Sequence, residues 1–119
     1  MIRVMLVDDH QLIRSCFREV LGREAGLEIV AEAGNGEEAI NLVRLHRPDV
    51  ILMDVSMPGI GGLEATRRIG QSFPETRIIA LTRYGDDPFP ARLLEAGAAG
   101  YITKGSDIEE VISAIKSVH

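Results

Sequence analysis

Between Arg3 and Leu21 the chain reads RVMLVDDHQLIRSCFREVL. Its first five residues form a nearly continuous apolar run, as expected of a parallel strand covered on both faces. Leu12, Ile13, Cys16, Phe17, Val20 and Leu21 then recur at the helical period, with Arg14 and Arg18 on the opposite face. The unit is a strand, a short polar link and an amphipathic helix, and the rest of the chain repeats it.

Four more strand-like runs follow, at Glu28 to Ala33, Asp49 to Met53, Arg77 to Leu81 and Ala99 to Ile102. Helical patterns lie between and after them. Asn35, three residues before Glu38, has the pattern of a capping box opening a helix through Ala39, Leu42 and Val43. Leu63 to Ile69 is a shorter helix. Asp87 and Pro88 resemble an N-cap and first turn, Pro90 still falls within that turn, and Gly97 is a terminator. Ser106 and Glu109 form a second capping box, followed by Ile108, Val111, Ile112 and Ile115 at helical spacing. Alternation of this kind predicts an α/β fold: one five-stranded parallel sheet with helices on both faces, in the flavodoxin-like order 2-1-3-4-5. Five strands are too few for an eight-stranded barrel.

The bulk properties agree. A chain of 119 residues suits one domain, here residues 1–119, with no internal linker. Its 45% hydrophobic and 26% charged residues argue against disorder. No apolar run approaches the ~18 residues of a membrane span, and the start has no secretory signal. The single cysteine, Cys16, has no internal partner, so a cytoplasmic location is expected, with Cys16 buried on its apolar helix face. A net charge of −5 is a poor basis for gripping nucleic acid directly.

Function is written where polar residues interrupt the apolar runs. Asp8 and Asp9 follow strand one, Asp54 follows strand three, Thr82 ends strand four and Lys104 lies just past strand five. In a parallel sheet these carboxyl ends share one edge, where ligand sites form. Two carboxylates ~4.5 Å apart repel by roughly 4 kcal/mol at an effective dielectric of 20. A divalent cation removes that conflict, and an all-oxygen site with water access suits Mg²⁺. Asp54 then becomes a nucleophile toward a phosphoryl group neutralised by Mg²⁺ and Lys104, with the Thr82 hydroxyl in reach of the new phosphate. Taken singly, each residue has a plainer role: a helix cap for Asp8 or Asp9, a turn for Asp54, a strand residue for Thr82, a solvated charge for Lys104. His10 has no His or Cys partner at metal spacing, so a helix-start role is preferred.

The motifs LVDDH (Leu6 to His10), DVILMDVSMPGIGGLEA (Asp49 to Ala65), ALT (Ala80 to Thr82) and AGAAGYITK (Ala96 to Lys104) together resemble a response-regulator receiver domain of two-component signalling. VDDH and the GYITK ending are similar to the NarL/FixJ subgroup, and GIGGLEATR to GacA/UvrY-type regulators. The resemblance implies a CheY-like fold with Asp54 as phosphoacceptor. It implies Mg²⁺ held by Asp9, Asp54, the backbone carbonyl of Ser56, and Asp8 through a water. Lys104 would pair with the phosphoryl group, and Thr82 with Tyr101 would form a switch pair. That pair would change the face made by helix four, strand five and helix five. Ser56 and Tyr84 stand where family members tune phosphate lifetime. Gly105 stands where many receivers have proline, and the prolines opening helix four are unusual among receivers.

The partners implied are a sensor histidine kinase, of the hybrid type, or its phosphotransfer domain, and a second copy of the chain on activation. DNA would be reached only through a C-terminal helix-turn-helix domain, which is expected beyond His119 and is not in this chain; a stand-alone receiver is the alternative. The domain would be a phosphoacceptor rather than an enzyme, with its own self-phosphorylation and self-dephosphorylation chemistry, and would have no membrane partner. Two other readings rank lower. An aspartate-nucleophile phosphatase of the haloacid-dehalogenase kind needs a second carboxylate two residues after the nucleophile, where Ser56 stands. A flavin or nucleotide module needs a Gly-rich phosphate loop after strand one, where Asp8 and Asp9 stand.

Overall fold

In the computed structural model, residues 1–55, 59, 61–82, 89–103 and 105–119 are described, with backbone alone at 89 and 90. Strands β1 (Ile2–Val7), β2 (Leu27–Ala33), β3 (Val50–Asp54), β4 (Arg77–Thr82) and β5 (Gly100–Thr103) alternate with helices. The helices are α1 (Gln11–Gly22), α2 (Gly36–His46), α3 (Gly61–Ser72), α4 (Phe89–Glu95) and α5 (Ile108–Val118). All strand pairs are parallel and the order is β2-β1-β3-β4-β5, the flavodoxin-like order expected.

The pleat sends alternate residues of each central strand into different cores. Met5, Val7, Ile51, Met53 and Ile78 pack with Ala39 and Val43 of α2 and Ala65 and Ile69 of α3. Val4, Leu6, Leu52, Ile79 and Leu81 pack with Leu21 of α1 and Val111 and Ile115 of α5. A third cluster joins Ala80 to Leu93 of α4 and to Ala98. The interiors of β1, β3 and β4 are thus apolar because each face meets a helix layer, and polar residues stand only near their ends.

Asn35 caps α2 by accepting from the Glu38 N–H at 2.8 Å. Gly97 ends α4 with φ +114°, which a glycine adopts freely. Its N–H donates to the Leu94 carbonyl at 3.1 Å, and the Ala98 N–H to that of Leu93 at 2.9 Å.

Several expectations need correction. Asp54 is the last residue of β3 rather than a residue following it, and α3 is longer than Leu63 to Ile69. The cap of α5 is Asp107, which accepts from the Glu110 N–H, while the Ser106 hydroxyl bonds that of Thr103 at 3.0 Å. Aspartate is an equally good cap, and the Thr103 partner draws Ser106 away. Cys16 is exposed, not buried. The apolar stripe of α1 is wider than the core beneath it: Leu21 is buried, whereas Leu12 is 78% exposed. Asp87 and Pro88 lie outside the described residues.

Candidate metal centre

The sheet's carboxyl edge is built from backbone outward. The Asp8 N–H donates to the Ala33 carbonyl of β2 at 3.0 Å, so the chain leaves β1 still tied to the sheet. The Asp8 carboxylate then accepts from the His10 N–H at 2.8 Å. Its carbonyl accepts from Arg14 Nη1 at 2.5 Å, and Arg14 also pairs with Glu32 of β2 at 3.3 Å. These contacts clamp the β1–α1 link from both sides. Asp54 occupies the matching end of β3, in register with Leu81 of β4.

Asp8 and Asp54 are buried, at 2% and 0% exposure, whereas the Asp9 side chain is 29% exposed and leaves a path for water. One ligand atom from each of Asp8, Asp9, His10 and Asp54 lies within 4.8 Å of every other. At that spacing two ionised carboxylates repel by roughly 3–4 kcal/mol at an effective dielectric near 20. A donor set of three carboxylates, two of them withdrawn from water, fits a hard divalent cation such as Mg²⁺.

Asp8, Asp9 and Asp54 therefore converge as expected. Thr82 is buried at the end of β4, one residue beyond the register partner of Asp54, and its hydroxyl donates to the Ile102 carbonyl at 3.5 Å. Tyr101 pairs with Ala80, on the sheet face that carries Thr82, and is 41% exposed. Lys104, Ser56 and Tyr84 lie outside the described residues.

Sequence reasoning gave His10 a helix-start role and passed over Gly62. His10 is the N-cap residue of α1, yet its side chain makes no cap bond. Its Nδ1 lies 3.2 Å from Asp8 Oδ1 and 3.2 Å from Asp9 Oδ1. Adjacency to the acid pair was the available signal. Gly62 packs directly on the end of β3: a Cβ there would fall 2.3 Å from the Asp54 carbonyl oxygen and 2.5 Å from Val55 Cα. A Gly-Gly pair was visible at 61 and 62, but not which member met the sheet.

A family model described as the response regulator receiver domain matches residues 4–116. Response regulator GacA of Pseudomonas viridiflava is 52% identical over 118 residues, covering 99% of this chain and 55% of that protein. Response regulator UvrY of Escherichia coli K12 is 51% identical over 119 residues, again 55% of its length. The chain thus spans about half the length of these curated relatives. Among solved structures, a LuxR-family two-component response regulator from Aurantimonas sp. SI85-9A1 superposes with a TM-score of 0.92 at 43% identity, over 98% of this chain and 83% of that one. The response regulator domain of Thermotoga maritima CheB gives 0.92 at 27% identity, over 99% and 96%.

Proposed function

This chain belongs to the response regulator receiver domains, and we propose that it accepts a phosphoryl group on Asp54 from a phosphohistidine of a sensor kinase, hybrid or otherwise, or of a phosphotransfer domain. The observation that carries the reading is Asp54 itself, 0% exposed at a central strand's end with donor atoms of Asp8 and Asp9 within 4.8 Å. A buried carboxylate in acidic company is a costly arrangement without a charge-compensating ligand.

In this reading Asp9, Asp54 and the Ser56 carbonyl would hold Mg²⁺, with Asp8 acting through a water. The bound cation would neutralise charge on the carboxylates and on the incoming phosphoryl oxygens. An Asp54 carboxylate oxygen attacks phosphorus, the phosphorus–nitrogen bond of the donor breaks, and the departing imidazole keeps the electron pair. Lys104 pairs with the transferred group through its ammonium. The same residues support slow self-phosphorylation from small acyl phosphates and hydrolysis by water, with Ser56 and Tyr84 setting the rate.

Aspartyl phosphate adds charge and acceptor oxygens beside β4. Thr82 turns its hydroxyl from the Ile102 carbonyl toward them, and Tyr101 moves inward from its exposed position, reshaping the face of α4, β5 and α5. A few kcal/mol of preference inverts a minor population. That face would drive dimerisation or a transcriptional output in the remainder of a whole protein, in the cytoplasm. No helix among the described residues is long and apolar enough to cross a membrane.

The test is incubation with acetyl phosphate with and without Mg²⁺, read by intact mass. A Mg²⁺-dependent, hydroxylamine-labile adduct that Asp54→Asn abolishes is the expected result. An adduct that survives Asp54→Asn refutes the assignment. Rapid turnover of many phosphate esters would favour a phosphatase.

A further inference from the structure

His10 combines three features that its place at a helix start does not explain. It occupies the N-cap position of α1, but its ring makes no cap bond, so helix initiation does not use the imidazole. The side chain is 47% exposed and free to turn outward to water. Nδ1 instead points at the acid pair, 3.2 Å from Asp8 Oδ1 and 3.2 Å from Asp9 Oδ1.

Those separations match coordination geometry. Two donors about 2.1 Å from one ion, at right angles, stand about 3.0 Å apart. Nδ1 and Asp9 Oδ1, 3.2 Å apart, are therefore spaced within a few tenths of an ångström of two adjacent donors on one ion. Among the described residues, the group of Asp8, Asp9, His10 and Asp54 is the one cluster of metal-ligating side chains.

We propose that His10 supplies a nitrogen donor to this cation site, so that it accepts imidazole-binding divalent ions such as Co²⁺ and Zn²⁺ alongside Mg²⁺. The inference rests on reading the acidic cluster as a cation site. Without an ion, an Nδ1 hydrogen would suit the 3.2 Å contact with Asp8 Oδ1, because a bare nitrogen lone pair would repel the oxygen. On coordination the Nδ1 lone pair goes to the ion and the ring hydrogen is carried by Nε2. Carboxylate and water alone favour Mg²⁺ and Mn²⁺, while an added imidazole favours the later ions of the first row. The ligand class is thus a borderline divalent cation held by two or three carboxylates and one imidazole.

The test compares the whole chain with His10→Asn, which keeps a good N-cap residue and so preserves the start of α1. Calorimetric titration gives dissociation constants for Mg²⁺ and Co²⁺ in both proteins. Loss of the nitrogen donor should weaken Co²⁺ by about tenfold or more relative to Mg²⁺. Proton NMR of the Co²⁺-loaded wild type should show a hyperfine-shifted, exchangeable imidazole N–H signal that the variant lacks. An unchanged Co²⁺-to-Mg²⁺ ratio, an equal loss for both ions, or tighter Co²⁺ binding in the variant each overturns the role of His10 while leaving the Mg²⁺ site intact. If the wild type binds neither ion, the cation-site reading falls and this inference with it.

Discussion

Replacing Gly62 with alanine should damage phosphorylation through the backbone alone. The new Cβ would lie 2.3 Å from the Asp54 carbonyl oxygen, 2.5 Å from Val55 Cα and 3.0 Å from the Asp54 carbonyl carbon. Ordinary contact begins near 3.4 Å, so α3 and the end of β3 must separate by about 1 Å. No rotamer change relieves the clash, because every crowded atom is main chain. Overpacking of this kind costs about 1–3 kcal/mol, and a rigid contact belongs at the upper end. A 1 Å displacement of a reacting group costs about 100-fold in rate, equivalent to about 2.7 kcal/mol of barrier. Urea unfolding by circular dichroism and the acetyl phosphate time course by intact mass measure the two effects. Gly22→Ala is the control, since nothing lies within 4 Å of its added methyl. It should leave the rate unchanged and stabilise α1 by about 0.5 kcal/mol. A Gly62→Ala protein with the wild-type urea midpoint and the wild-type rate would refute the reasoning.

Thr66 is 0% exposed in α3, and among the described residues its hydroxyl has no hydrogen-bond partner. Thr66→Val should therefore raise stability by about 1 kcal/mol in urea, and a loss would reveal a hidden partner. Asp107→Ala should cost about 1 kcal/mol and Ser106→Ala less, because Asp107 caps α5; the reverse ranking would restore Ser106 as the cap. Glu64 is held below the ordinary glutamate range, first by its hydrogen bond from Arg68, against an opposing effect of burial, and then by Arg67. Its contribution to stability is present above the unfolded-state value and is lost as pH falls through the lowered folded one. A carboxyl-detected NMR titration should show Arg68→Gln raising the Glu64 midpoint more than Arg67→Gln, and equal shifts would contradict that order. Thr82→Ala should leave the Asp54 adduct intact but abolish the phosphorylation-induced shift of the Tyr101 ring signals; an undiminished shift would separate Tyr101 from Thr82.

Local pattern determined much of this protein. Apolar runs at the strand period, helical stripes, Asn35 and Gly97 all act within a few residues, so the elements and their alternation were readable along the chain. Handedness and sheet rules then carried Asp8, Asp9 and Asp54 to one edge, although nearly fifty residues separate the pair from the third acid. Tertiary structure decided what depends on competing neighbours. Ser106 and Asp107 are both good caps, and only the Thr103 hydroxyl beside Ser106 chose between them. Periodicity gave α1 an apolar face, but the width of the core beneath it left Cys16 exposed. The turn of the His10 ring toward two carboxylates and the seating of Gly62 on β3 arise from through-space distances of a few ångströms. Such distances are set by how the layers pack, a property no single segment carries.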